Sequence, residues 1–227
     1  GHDIDPTAVN FKSGDSLLAS VIGRSNQNVY LQDSTGRFYA VPSHTLPSAR
    51  GQGEPASGKL NLPAGATLTG MIMGEDDKEV FVGTSAGYGF RTTITDLHTK
   101  NKAGKSVVKI SPYAQVVQPK LIYDDNSLIV AVSNEGRMLV FDISNVPKLA
   151  KGKGNKIINI PSARLKRGEE WVVDYAIVGQ GTSLLVYSGK RYLSLKYGDL
   201  EHYIGERGRR GHKLPRGFQR VDYLKSE

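Results

Sequence analysis

The sequence predicts an all-β fold of the propeller type, built from four repeated units of about 50 residues with about four strands each. Three observations carry that expectation. A hairpin-like pattern recurs four times along the chain. A short capped turn and then a basic, glycine-bearing segment follow every hairpin. Apolar residues alternate with a period of two, and helical periodicity is almost absent.

The hairpins read as 29–41, 80–90, 128–141 and 184–193, with turns that reach Gly36, Gly87, Gly136 and Gly189. Glycine there supplies the positive φ that tight hairpins require. Next comes an Asp, Asn or Thr ahead of an apolar anchor, at Thr45-Leu46-Pro47, Asp96-Leu97-His98, Asn145-Val146-Pro147 and Asp199-Leu200-Glu201. Such residues bond their own backbone, which fits short Asx- or ST-type turns and not long helices. The basic segments follow at Arg50-Gly51-Gln52-Gly53, Lys102-Ala103-Gly104-Lys105, 151–156 and 207–211. Each feeds a strand that closes at Leu62-Pro63, Ile110-Ser111-Pro112, Ile160-Pro161 or Leu214-Pro215. An apolar strand opens each unit, at 16–22, 66–73, 115–123 and 171–178. The expected blades are therefore 14–63, 64–112, 113–161 and 162–215 within one domain, 1–227. Residues 1–13 read as the remnant of a preceding blade, which makes the blade set incomplete at that end, and 216–227 as a C-terminal tail.

Composition narrows the function classes. A chain of 227 residues buries a substantial core. Cysteine is absent, so disulfides and thiolate metal sites are excluded, and a reducing compartment fits. The apolar run 127–132 has the length of a buried strand, far below a membrane span. The first residues lack the apolar core of a signal peptide, so the expected location is cytoplasmic. The net charge is +8 and unevenly placed: residues 1–113 hold 11 Lys/Arg against 10 Asp/Glu, and residues 114–227 hold 19 against 12. Within 205–220, six Lys/Arg face one Glu. A polyanionic partner is the expectation.

Several catalytic patterns fail on context. Gly83-Thr84-Ser85-Ala86-Gly87 matches G-x-S-x-G, but that nucleophile needs a strand–turn–helix, and the residues after it continue as strand. Gly104-Lys105-Ser106 has Thr99 where a phosphate loop needs its first glycine. The five histidines, His2, His44, His98, His202 and His212, lack metal-ligand spacing. The acidic runs Glu75-Asp76-Asp77 and Asp124-Asp125 fit hairpin turns. No catalytic residue and no metal site is expected.

The stretches SLLASVIGRSNQNVYLQDSTGRFYAV, TLPSARGQGEP, SAGYGF, KGKGNKIINIPSA and GERGRRGHKLPRGFQRVD resemble the C-terminal domains of the A subunit of bacterial topoisomerase IV, relatives of the C-terminal domain of the DNA gyrase A protein. The resemblance covers essentially the whole chain. It implies a β-pinwheel, in which propeller-like blades exchange strands and a basic outer rim binds and bends double-stranded DNA. Gyrase domains carry a seven-residue box close to Q-R-R-G-G-K-G; here 206–211 is only a loose echo, which favours decatenation and relaxation over active supercoiling. The resemblance places the catalytic residues, and the use of ATP and Mg, on other domains or the partner subunit, so this chain is expected to be neither an enzyme nor a cofactor binder by itself. Implied partners are bacterial condensin and the rest of an A2B2 topoisomerase IV with its ATPase subunit, in a cytoplasmic, nucleoid-associated setting.

The expected DNA contacts are Arg24, Arg37, Arg50, Lys100, Lys102, Lys105, Lys151, Lys153, Lys156, Arg207, Arg209, Arg210, Lys213 and Arg216. Cations repeated once per unit would neutralise successive phosphates without reading sequence. The alternative is a propeller-type protein-interaction platform that uses its polar tips, with DNA binding secondary.

Overall fold

Alternating aliphatic and aromatic residues between tight turns build the strands in a repeated order. The first hairpin joins β1 (Asn28–Asp33) to β2 (Arg37–Pro42). Then β3 (Leu68–Met73) leads into the hairpin of β4 (Glu79–Gly83) and β5 (Tyr88–Thr93), followed by the short β6 (Lys105–Ser106). The same order continues with β7 (Lys120–Ile122), the hairpin of β8 (Leu128–Ser133) and β9 (Arg137–Asp142), and β10 (Asn155–Lys156). It repeats with β11 (Val172–Val178), the hairpin of β12 (Ser183–Ser188) and β13 (Arg191–Lys196), and β14 (His212–Lys213), before β15 (Tyr223–Ser226) ends the series. The structure, a computed structural model, describes residues 28–42 and 60–227.

The strands form four antiparallel sheets, ordered β3–β1–β2–β6 (sheet I), β7–β4–β5–β10 (sheet II), β11–β8–β9–β14 (sheet III) and β15–β12–β13 (sheet IV). Every hairpin thus receives its inner strand from the stretch of chain that follows it, and in sheets I–III its outer strand as well. The sheets are offset from the sequence units: the hairpin of 14–63 is completed from 64–112, that of 64–112 from 113–161, and that of 113–161 from 162–215. Residues 216–227, expected as a tail, supply the inner strand of sheet IV, where Tyr223 pairs with Tyr187. The expected blade remnant at 1–13 and the strand at 16–22 lie outside the described residues.

Side-chain alternation stacks the sheets. In sheet III, Val130, Val132, Met138 and Val140 face sheet IV, while Ile129, Ala131, Leu139 and Phe141 face sheet II. Each of the larger side chains among these gains about 1.5–3 kcal/mol on leaving water. Three of the four expected capped turns appear as the one-turn helix Ile94–Leu97, whose N-cap Thr93 accepts from the Asp96 N–H, and as 3-10 turns at Ile143–Asn145 and Tyr197–Tyr203, while Thr45-Leu46-Pro47 lies outside the described residues. A further one-turn helix, Ser162–Lys166, had no periodic signal.

Neighbouring inner strands meet at the hub. There Lys120 on β7 lies 3.2 Å from Asp174 on β11, which also accepts the Leu224 N–H of β15 at 2.9 Å. Burial pushes the Asp174 carboxyl up, against the opposing pull of Lys120 and of the Leu224 and Tyr175 N–H groups. The Asp174 carboxylate therefore ties sheets II, III and IV together, through one ion pair and one hydrogen bond. The outer strands β6, β10 and β14, all from basic segments, occupy the opposite edge of their sheets.

Candidate nucleic-acid interface

The basic segments are held at that outer edge by the hairpins they cross. The N–H groups of Val107, Ile157 and Leu214 donate to the carbonyls of the turn residues Gly36, Gly87 and Gly136 at 3.2, 2.7 and 2.8 Å. The crossing explains the turn glycines better than φ alone. A Cβ on Gly36 or Gly87 would stand 2.2 Å from the carbonyl oxygen of Val108 or Ile158, and both glycines have φ of +88°. Only glycine satisfies both demands.

The segments also bond to one another. Asn61 N–H donates to the Lys102 carbonyl at 3.0 Å. Lys109 N–H donates to the Gly152 carbonyl at 2.9 Å, and Gly152 N–H returns a bond to Val107 at 2.9 Å. Asn159 N–H donates to Arg209 at 2.9 Å, and Gly208 N–H to Ile157 at 2.8 Å. The result is a hydrogen-bonded belt that links consecutive basic segments along the outer edge. Backbone fixed in this way loses less freedom on meeting a ligand than a loose loop does.

The belt separates the expected contacts into two groups. Lys100, Lys102, Lys151, Lys153, Lys156, Lys213 and Arg216 lie at the surface. Lys153 stands 4.1 Å above the Tyr88 ring, and Lys156 reaches Asn159 at 3.2 Å. Arg207 is exposed and donates to the Lys156 carbonyl at 2.9 Å, while Arg209 makes a surface ion pair with Glu206 at 3.2 Å. Three others are engaged inside the fold. Arg37 donates to the Ala103 and Gly104 carbonyls at 2.9 and 3.0 Å, so it clamps the belt instead of extending from it. Lys105 points its ammonium at the Asp96 carbonyl, 2.6 Å away. Arg210 grips the fully buried Glu170 through two bonds of 2.5 and 2.9 Å and also donates to the Asn159 carbonyl. Arg24 and Arg50 lie outside the described residues.

Sequence reading missed Lys109. It is exposed, and with Lys151 it flanks a cleft of about 620 Å³ that Thr35, Ser106 and Gly152 also line. Its signal was available, since Lys109 stands five residues after Gly104 as Asn159 stands five after Gly154. Arg91 and Arg137 were missed as clamps: Arg91 donates to the Val146 carbonyl at 2.8 Å and Arg137 to Gly211 at 3.4 Å.

Catalytic patterns find no support in the geometry. Ser85 sits in the β4–β5 turn, and its hydroxyl accepts the Gln115 N–H at 2.8 Å. Among the described residues no three His, Cys, Asp or Glu side chains gather as a metal site. No helix there is long and apolar enough to cross a membrane. Glu75, Asp76 and Asp77 are exposed in the β3–β4 turn, and Asp124 and Asp125 in the β7–β8 turn; each turn joins strands of two different sheets, so neither is the hairpin turn that the sequence predicts.

Comparison with known proteins agrees with this architecture. The family model for the DNA gyrase C-terminal domain, a β-propeller, matches residues 78–122 and 127–177. The A subunit of DNA topoisomerase 4 from Pseudomonas aeruginosa is 51% identical over 225 residues, which cover 99% of this chain and 30% of that protein. The Escherichia coli K12 counterpart is 49% identical over 222 residues, 98% of this chain and 29% of that protein. The solved C-terminal domain of E. coli ParC matches with a TM-score of 0.80 and 45% identity, covering 100% of this chain and 92% of that one. The chain belongs to the family of C-terminal domains of the topoisomerase IV A subunit. It spans about 30% of the length of the curated relatives it matches. A DNA gyrase A C-terminal domain, 17% identical with a TM-score of 0.67 over 87% of this chain, shares the fold. In this topoisomerase IV domain the strand exchange that the resemblance implied is what carries the basic segments to the outer edge.

Proposed function

We propose that this topoisomerase IV domain is a non-catalytic module that binds and bends double-stranded DNA, largely without regard to sequence. The observation that carries the reading is the belt: successive basic segments, bonded to one another, present exposed lysines in series on one edge. Contact between such an edge and successive phosphates positions a duplex without reading its bases. Curving 20–30 bp of DNA by 40–90° costs on the order of 1–6 kcal/mol, which a series of individually modest phosphate contacts offsets. The acidic turns 75–77 and 124–125 carry the opposite charge and would repel a duplex that reached them.

In the whole enzyme the domain would guide the choice and presentation of the DNA segment for decatenation and supercoil relaxation during chromosome segregation. Its setting would be an A2B2 topoisomerase IV in the cytoplasm at the nucleoid, with bacterial condensin as a further partner. DNA cleavage and the use of ATP and Mg belong, on this reading, to the other domains and the partner subunit.

Duplex affinity measured across salt concentrations tests the proposal. With six or more phosphates neutralised, affinity falls by about a thousandfold or more between 50 and 200 mM salt. Two unrelated duplexes of equal length should bind equally well. A flat salt response, or binding to protein partners alone, supports the interaction-platform reading instead.

A further inference from the structure

Resting on the DNA-binding reading above, we propose that Arg191 on sheet IV is a phosphate contact at the end of the belt, seated between Lys190 and Arg216. Arg37, Arg137 and Arg191 open the second strand of their hairpins, immediately after the turn. They are the same residue type at the same register. In sheets I and III that guanidinium is engaged by the belt segment crossing the hairpin, through Ala103 and Gly104 for Arg37 and through Gly211 for Arg137. The corresponding residue of sheet II, Tyr88, likewise meets the crossing segment, under the Lys153 ammonium.

Sheet IV differs because none of the described segments crosses it. It has three strands, and the outer edge of β13 pairs with none of the described strands. A Cβ on Gly189 would find nothing within 4 Å, whereas one on Gly36, Gly87 or Gly136 would collide with a crossing carbonyl oxygen at 2.2 or 2.3 Å. Arg191 is exposed, and its guanidinium makes no hydrogen bond or ion pair with the described residues. Its Nη1 lies 3.4 Å from where a Cβ on Gly217 would stand, which places the side chain beside Gly217, the residue after Arg216. Lys190 and Arg216 are also exposed. Asp222 is the carboxylate placed against this turn, and it accepts the Gly189 N–H at 2.6 Å without pairing to Arg191.

The chemistry follows from what the guanidinium lacks. Its planar fork suits two parallel bonds to a phosphate, and at Arg191 no carbonyl of the described residues competes for it. Flanking cations raise the local potential for an anion without supplying an internal partner. Whether this shared register position builds the fold or binds a ligand is decided by the presence of a crossing segment.

The test uses the 227-residue chain with Arg191→Gln and Arg137→Gln, read by duplex affinity across salt and by thermal melting. Arg191→Gln should weaken binding roughly 3- to 10-fold, reduce the steepness of the log–log salt plot by about 1 and leave Tm unchanged. Arg137→Gln should lower Tm and leave the salt slope intact. If the wild-type chain binds DNA and Arg191→Gln matches it in affinity and slope, this inference fails while the DNA-binding reading stands. If Arg191→Gln lowers Tm as much as Arg137→Gln does, the residue is a clamp and the inference fails. A wild-type chain that does not bind duplex DNA overturns both.

Discussion

At the scale of single residues, a basic side chain on this domain is defined by what its charged end already holds. Arg210 shows the extreme case, because Glu170 is wholly buried and has its carboxylate matched by two guanidinium bonds. Arg210→Ala removes both of those bonds and leaves the buried carboxylate only the more distant Arg164, 4.0 Å away, which costs up to about 3–5 kcal/mol. Denaturant unfolding should show a loss of that size, and a loss below about 1 kcal/mol with a weakened DNA complex would return Arg210 to the binding surface. The sequence showed where the cations are but not which are engaged. Glu170 lies 40 residues from Arg210, and Ala103 lies 66 from Arg37, so no local pattern records either pairing. Lys109 is a different miss, since its equivalence to Asn159 is visible once the units are aligned on Gly104 and Gly154.

At the scale of elements, the hairpins were legible because a period of two and a turn glycine are local signals, and all four sit where the sequence predicts. For the outer strands, the sequence predicts a strand with each basic segment but shows neither its shortness nor its partner. Each is two residues long, paired to a hairpin of the preceding unit, and carries no periodicity of its own. Strand β15 was read as tail for a related reason: one short strand after a run of basic and turn-forming residues has no partner nearby in sequence. The crossing makes a graded prediction for the turns. Gly87→Ala meets the Ile158 carbonyl at 2.2 Å as well as an unfavourable φ of +88°, whereas Gly189→Ala meets only its φ of +59°. Strain of the φ kind costs of order 1–3 kcal/mol, and the collision adds to it at Gly87 alone. Thermal melts should therefore rank Gly87→Ala well below Gly189→Ala, and equal losses would mean that the crossing carries no constraint.

At the scale of the whole molecule, strand exchange converts a repeated sequence into a continuous charged edge. Each unit's hairpin is closed by its successor, so the basic segments cannot drift apart without opening a sheet, and the cations stay in series. On the proposed reading, the charge of the belt attracts a duplex and the opposite charge on the β3–β4 and β7–β8 turns repels one. The claim that the belt is the DNA surface is tested most directly by comparing two multiple variants in one salt titration with duplex DNA. Joint replacement of Lys151, Lys153 and Lys156 by Ala should weaken binding and flatten the log–log salt slope by about 2–3, while replacement of Asp76 and Asp77 by Ala should leave the slope unchanged. Equal effects of the two variants, or an unchanged slope without the three lysines, would contradict it.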